Sequence, residues 1–262
     1  MNESIRVVTD SGSDLSRELC EEYGIAVVPL TITFGSHEYR DGVDLCKDEF
    51  FRMLEEGDAL PFTTQPSPAD FAATYQRLRD EGAKHVISVH LSSKLSGTHQ
   101  SAMLGAREVE GLKVHVVDSH SASLGIGLLA IEAVKAIRNG AGVEEAVEHV
   151  HRMRERLRVY FYVDTLEYLA RNGRIGKAQA LVGSMLNIKP VLTIEDGVVA
   201  PHAKVRGKRK ALQLVTDSVK QQVGDKPFTA AIVHGDMVAE AEAMKEELLA
   251  AAPGSDVSLH KL

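Results

Sequence analysis

The sequence contains no tryptophan, and aromatic residues make up only 5% of its 262 positions. Proteins that bind single-stranded nucleic acids stack the bases on aromatic side chains, so this composition argues against such platforms. Positive charge is also in deficit, because 30 Lys and Arg face 37 Asp and Glu, for a net charge of −7. A general nucleic-acid binder usually shows the opposite balance. We therefore expect no nucleic-acid partner.

Cysteine and long apolar runs are equally scarce. The two cysteines, Cys20 and Cys46, are too few for a disulfide framework or a four-ligand zinc site. The most apolar stretch, 124–134, contains Glu132 and is too short to span a bilayer. The first residues lack the apolar core of a signal peptide. These absences predict a cytoplasmic protein with no integral membrane segment and no metal site.

The rest of the composition is that of an ordinary folded protein, with 44% hydrophobic and 26% charged residues. In the first part of the chain, short apolar runs alternate with amphipathic stretches, which is typical of a parallel α/β sheet. The predicted strands there are 5–8, 27–33, 85–90 and 114–117. The predicted helices are 15–23, 47–56, 68–81, 98–109, 123–138 and 143–157.

The pattern changes after the charged run 152–158. The dipeptide Asp196-Gly197 is a hairpin turn signal, and it separates the predicted strands 191–195 and 198–205. Other elements predicted in this part are a strand at 160–163, a short helix at 166–171, a helix at 210–223, a strand at 229–234 and a helix at 238–251. We predict an α/β protein of two domains. Residues 1–158 form an N-terminal domain with a doubly wound parallel sheet, and residues 159–262 form a C-terminal α/β domain with an antiparallel hairpin.

Hydroxyl side chains are concentrated after the strand that ends at His90. Residues 91–101 hold five Ser or Thr in eleven positions, among them Ser96 and Thr98, with Gly97 where a helix should begin. A helix N-terminus offers unpaired N–H groups to an anion, and hydroxyls add further donors. Serine is also a common helix cap, so the same cluster fits a purely structural role. The density of hydroxyls favours an anion site.

Two further segments, 61–68 and 10–14, also carry hydroxyl side chains. Residues 61–68 contain three prolines, which predict a stiff, extended loop that presents Thr63 or Thr64. We expect this loop and the 91–101 segment at the carboxyl edge of the parallel sheet, where open α/β folds bind ligands. The string 10–14, after the first strand, holds two acids and two serines. We interpret it as a turn and helix cap, and a supporting role at the rim of the site stays open.

Several chemical motifs are absent or coincidental. The glycine pattern at 125–130 begins eight positions after the strand residue Val117, so it does not indicate a dinucleotide site, and no cofactor is predicted. A triad of Ser96, His99 and Asp118 can be drawn, which leaves a serine-dependent esterase as one alternative. A binding protein for a small phosphorylated metabolite is another. Five cations lie within residues 204–210, and they suit an anionic headgroup or an acidic protein partner.

Four segments occur in an order that is known from a protein family. They are 10–14 (DSGSD), 63–66 (TTQP), 95–98 (LSGT) and 164–175 (DTLEYLARNGRI). Together they resemble the DegV family of bacterial fatty-acid-binding proteins, and the resemblance covers nearly the whole chain. It implies a two-domain α/β protein that holds a long-chain fatty acid in a tunnel between its domains. The residues it assigns to the fatty-acid carboxylate are Thr63, Thr64, Ser96, Gly97, Thr98 and Arg174.

The resemblance also implies a partner. A separate fatty acid kinase phosphorylates the bound lipid, and the acyl phosphate then enters phospholipid synthesis. The protein would thus be a carrier that presents a substrate and not an enzyme. The basic segment with Arg206 and Lys208 would be the docking surface for the kinase.

Two further points concern the lipid and the terminal strand. Apolar residues that could line a channel, each equally suited to an ordinary core, are Leu124, Ile126, Leu128, Leu129, Leu181, Met185 and Leu186. Family members usually continue into a glycine-rich terminal strand with a histidine beside the headgroup. This sequence ends at 258–262, and we do not give His260 that role.

Overall fold

A computed structural model describes residues 4–57, 60–183 and 188–262. The chain divides into two compact units, Met1–Leu157 and Arg158–Leu262. In chain order the first unit contains β1 (Ile5–Asp10), α1 (Arg17–Tyr23), β2 (Ile25–Val28), β3 (Thr31–Phe34), β4 (His37–Arg40), α2 (Lys47–Glu56), β5 (Phe62–Thr64), α3 (Pro68–Asp80), β6 (His85–His90), α4 (Thr98–Arg107), β7 (Lys113–Asp118), α5 (Leu124–Arg138) and α6 (Val143–Arg156).

The first unit is built on a parallel sheet with the strand order β2-β1-β6-β7. Alternate side chains of a strand point to opposite faces, so each face has its own core. On one face Val7 and Ile87 pack with buried residues of α5 and α6. On the other face Val8 and Val86 pack with residues that include Phe71 of α3. Helices therefore cover both faces, which confirms the predicted doubly wound α/β architecture.

The predicted strand at 27–33 is wrong in one respect, because it is two strands in two sheets. β2 ends at Val28 in the parallel sheet, and β3 begins at Thr31 in an antiparallel sheet of order β4-β3-β5. Pro29 lies between them, and proline has no N–H to donate to a strand ladder. The amide of Leu30 instead donates to Ser11 Oγ at 3.0 Å.

The second unit combines an antiparallel sheet with a parallel strand pair. Its elements are β8 (Tyr160–Tyr162), α7 (Glu167–Arg171), β9 (Ile188–Glu195), β10 (Val198–Arg206), α8 (Lys208–Val223), β11 (Thr229–His234), α9 (Val238–Ala251) and β12 (Asp256–Lys261). The strands β9 and β10 flank Asp196-Gly197, so the predicted hairpin is confirmed, and β8 pairs with the other edge of β9. β12, for which no strand was predicted, runs parallel to β11 after the crossover helix α9.

The described residues contain neither a membrane-spanning helix nor a cluster of candidate metal ligands. None of the helices in 4–57, 60–183 and 188–262 is both long enough and apolar enough to cross a membrane. The same ranges hold no group of three or more His, Cys, Asp or Glu side chains arranged to hold a metal ion.

Candidate functional site

The segment between β6 and α4 folds into a tight turn that brings two hydroxyls together. The amides of Leu95 and Ser96 both donate to the carbonyl oxygen of Ser92, at 2.9 and 3.0 Å. Ser96 Oγ lies 2.9 Å from Thr98 Oγ1 and accepts from the Thr98 amide at 3.3 Å. The Thr98 side chain is buried, whereas Ser96 is half-buried at the start of α4. One accessible hydroxyl is thus held beside a helix N-terminus, which is the geometry of an anion donor.

Gly97 is the point at which this turn meets the segment that contains Thr63 and Thr64. A Cβ atom at Gly97 would lie 2.5 Å from Nε2 and 2.9 Å from Cδ of Gln65. Such distances are shorter than van der Waals contact, so the Gln65 amide lies in the space that any larger residue would fill. The two predicted ligand segments are therefore neighbours in the first unit.

The position of Thr63 and Thr64 differs from the expectation in its details. They do not follow a strand of the parallel sheet, since they form the last part of β5, which pairs with β3 in the antiparallel sheet. Both residues are exposed. Side chains alternate along a strand, so Thr63 and Thr64 point to opposite faces of β5.

Asp10 has a larger role than the predicted turn and cap. It caps the 3₁₀ helix Ser11–Ser13, and its Oδ1 accepts from the Gly12 amide at 3.1 Å. Its Oδ2 accepts from the amide of Leu91 at 3.0 Å, 81 positions away. A buried carboxylate thus holds the first residue after β6. An acid at the end of a strand signals a cap, but nothing in the sequence signals its distant partner.

The alternative triad is not joined by hydrogen bonds. Asp118 Oδ1 accepts from the amides of Ser93 and His120 at 3.2 and 3.0 Å. Burial acts to raise the pKa of Asp118, but hydrogen bonds from these two residues hold it below its ordinary value. Burial lowers the pKa of His99. The hydrogen bonds of Ser96 Oγ go to Thr98, so the structure does not show Ser96 as an activated nucleophile.

Arg174 lies in the second unit, directly after the end of α7. Gly173 has a φ of 70°, and the Arg174 amide returns to the carbonyl of Leu169 at 2.8 Å, as in a glycine-terminated helix. The guanidinium donates to the carbonyl oxygen of Asn172 at 2.6 Å. The helix end therefore sets both the backbone and the side-chain direction of Arg174.

Arg206 and Lys208 lie on either side of Gly207, where β10 ends and α8 begins. Both cations are exposed, as are the three other basic residues of the segment, Lys204, Arg209 and Lys210. Lys208 Nζ forms an ion pair with Glu240 of α9 at 2.9 Å. This pair offsets part of the positive charge at Lys208.

The apolar residues considered for a channel are mostly core. Ile126 and Leu129 of α5 pack in the core between the parallel sheet and α6, and Leu124 is 3% exposed. Leu128 is partly buried on the same helix, and Leu181 is buried in the second unit. Met185 and Leu186 lie outside the described residues.

Comparison with known proteins gives the family. The profile of the DegV family, described as "Uncharacterised protein, DegV family", matches residues 4–262. The chain belongs to the DegV family. A DegV domain-containing protein of Deinococcus radiodurans is 43% identical over 220 residues, which are 84% of this chain and 78% of the relative.

Solved DegV structures agree with this assignment. A DegV family protein from Thermus thermophilus, described by its fatty acid binding, is 39% identical with a TM-score of 0.91, and the alignment covers 99% of this chain and 92% of that one. The DegV protein of Bacillus subtilis, described as a fatty acid binding protein, is 33% identical with a TM-score of 0.90, covering 98% and 92%. The predicted family and fold class are confirmed.

Proposed function

We propose that this DegV protein binds a long-chain fatty acid, with the carboxylate held by Ser96, Gly97 and Thr98 and by the hydroxyls of Thr63 and Thr64. The observation that carries the proposal is the contact between Gln65 and Gly97, which joins the two hydroxyl-bearing segments. The fatty-acid binding of the similar proteins from Thermus thermophilus and Bacillus subtilis supports the choice of ligand.

The chemistry of these groups suits a carboxylate. An ionised carboxylate only accepts hydrogen bonds, and each Ser or Thr hydroxyl has one proton to donate. Ser96 and Thr98 already share one hydrogen bond, so together they keep one hydroxyl proton for a ligand. A C16 chain that buries about fourteen methylenes gains roughly 11 kcal/mol at ~0.8 kcal/mol each, before the cost of ordering is subtracted. The hydroxyls therefore set the orientation of the lipid more than its affinity.

The test is the double variant Ser96→Ala with Thr63→Val, measured for oleate binding by titration calorimetry and for thermal stability. We expect weaker oleate binding and an unchanged melting temperature, because Ser96 is half-buried and Thr63 is exposed. Ser93→Ala is the control, since it removes an exposed hydroxyl from the same turn. The single variants Thr63→Val and Thr64→Val show which hydroxyl contributes more, since the two side chains point to opposite faces of β5.

Three results would contradict this assignment. Oleate binding that is unchanged in the double variant would remove the headgroup site. Displacement of a bound ligand by inorganic phosphate, with no binding of oleate, would favour the phosphorylated-metabolite alternative. Serine-directed reagents that label Ser96 would favour the esterase.

The family resemblance extends the proposal to Arg174 and to a partner. Arg174 is assigned to the carboxylate by the resemblance, and the variant Arg174→Gln tests it by the same titration.

We propose further that a separate fatty acid kinase phosphorylates the bound lipid for phospholipid synthesis and docks at Arg206 and Lys208. The exposure of the five cations at 204–210 is consistent with a docking surface.

A further inference from the structure

A chain of four polar side chains runs through the interior of the first unit and ends at the turn that carries Ser96. Tyr75 Oη lies 2.8 Å from Ser88 Oγ, and Ser88 Oγ lies 2.6 Å from His90 Nε2. His90 Nδ1 lies 2.9 Å from Asp10 Oδ2. Tyr75, Ser88, His90 and Asp10 are all 0% exposed. We call these four residues the buried relay.

The partners of the buried relay decide where its protons lie. An ionised Asp10 only accepts, so His90 Nδ1 carries a proton and donates to it. A neutral His90 then accepts at Nε2 from the Ser88 hydroxyl, and Ser88 accepts from Tyr75. In this arrangement every donor points toward Asp10 and every polar group is satisfied.

The buried relay contacts one segment of the carboxylate site and includes a residue of the helix that follows the other segment. At one end, Asp10 Oδ2 accepts from His90 Nδ1 and from the amide of Leu91, the first residue of the turn. At the other end, Tyr75 lies on α3, which begins at Pro68, directly after the segment with Thr63 and Gln65. The ring of Phe71 on α3 also meets the His90 ring edge-on, with centroids 4.9 Å apart.

Filling a core with hydrogen-bonded polar side chains costs stability. Apolar residues of similar volume pack a core without any desolvation penalty, so a fully buried polar network is retained at a cost in stability. Its benefit is a fixed geometry, because each member has one orientation that satisfies its neighbours. Here the network fixes the position of the Leu91 amide, which lies five residues before Ser96.

We propose that the buried relay positions the carboxylate site, with Asp10 and His90 as positioning residues that hold the turn at Leu91 in its ligand-binding conformation. This inference rests on the proposed function, because its functional consequence is lipid affinity. The relay does not touch the lipid. It sets the orientation of groups that do.

The first measurement needs no variant. Nitrogen-15 NMR of the His90 ring in the full chain reports which ring nitrogen carries the proton. We expect Nδ1 to carry the proton that is donated to Asp10 Oδ2. A ring protonated at Nε2 alone would overturn the proposal, because Nδ1 would then have no proton to donate.

The second measurement compares two buried substitutions on β1. Asp10→Asn keeps the size of the side chain but places an amide NH₂ against one of its three donors. Thr9→Val is the matched control, because Thr9 Oγ1 is also fully buried and bonds β6 at the Val89 carbonyl, 2.9 Å away, without touching the turn. We expect amide exchange at Leu91 or Gly12 to be roughly tenfold faster in Asp10→Asn than in Thr9→Val, and oleate affinity roughly tenfold lower.

The outcomes separate this inference from the proposed function. If wild type binds oleate and Asp10→Asn binds it as tightly as Thr9→Val does, the positioning role is wrong. If wild type binds no oleate at all, the proposed function is wrong. If Asp10→Asn does not fold, the tautomer of wild-type His90 still decides the proposal.

Discussion

His85 and His115 show how two ordinary side chains make folding depend on pH. They lie on the neighbouring strands β6 and β7, and their rings stack with centroids 5.8 Å apart. Burial lowers the pKa of His115, and the His85 imidazole lowers it further, while Glu144 on α6 raises it and Lys113 lowers it. The folded state therefore holds fewer protons at this position than the unfolded chain does at mildly acidic pH.

We predict that His115→Gln reduces the loss of stability between pH 7.5 and pH 5.5. Because the pKa of His115 is lower in the folded state than the ordinary value of about 6.5, the unfolded state binds more protons as the pH falls. The free energy of unfolding of the wild type should then decrease as the pH falls through about 6.5, and the variant should lose part of this dependence. Urea unfolding at the two pH values measures both.

His37→Gln is the control for that experiment, since His37 is exposed on β4. An equal pH dependence in His115→Gln and wild type would show that the stacked pair contributes nothing.

At the scale of elements, the packing of α3 against α4 depends on one glycine. A Cβ atom at Gly105 of α4 would lie 2.5 Å from the carbonyl oxygen of Pro68 and 2.7 Å from Cβ of Phe71. Both atoms belong to the start of α3, where the chain has just left Gln65 and where Ser67 and Asp70 form a reciprocal cap. The start of α3 therefore lies against the last turn of α4, which contains Gly105.

We predict that Gly105→Ala lowers the free energy of unfolding by about 1–3 kcal/mol, because rigid backbone and Cβ atoms occupy the space of the new methyl group. Thermal or urea unfolding measures the change. Gly142→Ala is the matched control: Gly142 has a φ of −70° and open space around its Cβ position, so we expect a change below about 1 kcal/mol. Equal stability of the two variants would mean that the helices separate without cost.

At the scale of the whole molecule, positive charge is concentrated in one short segment of a chain that is net negative. The chain is net negative, yet residues 204–210 hold five exposed cations, with Lys208 paired to Glu240. Arg206 is thus the better probe of docking, since Lys208 is partly neutralised.

We predict that Arg206→Glu slows phosphorylation of the bound fatty acid by a bacterial fatty acid kinase while oleate affinity stays unchanged. Charge reversal on a docking surface acts on association with the partner, and Arg206 is not among the residues assigned to the carboxylate. The assay is ATP consumption by the kinase with oleate-loaded protein at low and high salt. Arg17→Glu, an equal charge reversal on an exposed residue of α1, is the control. Equal rates for both variants would argue against docking at this segment.

Much of the fold could be predicted because its elements are marked locally. The strand 85–90, the helix 47–56 and the helix 238–251 match the structure at both ends. Each carries a period of apolar residues or a terminal signal that depends on a few neighbours in the chain. The strand β12 and the division of 27–33 were missed, because pairing partners and sheet membership depend on residues far away in sequence.

The candidate site likewise has parts that the sequence predicts and parts that depend on residues far apart in sequence. The hydroxyl cluster at 91–101 and the Pro-rich segment at 61–68 are visible in the sequence, since composition alone marks them. The position of Gln65 against Gly97 and the hydrogen bond between Asp10 and His90 are not visible there.

The amino-acid sequence is thus enough to predict the family, the α/β class and the segments that carry donors for an anion. Which of these donors meet depends on the tertiary structure. The physical reason is the sequence separation between the residues that determine each feature. Helix periods, caps and turns are set by residues within a few positions of one another, whereas the hydrogen bond between Asp10 and His90 joins residues 80 positions apart. It exists only because β1 and β6 lie side by side in the parallel sheet.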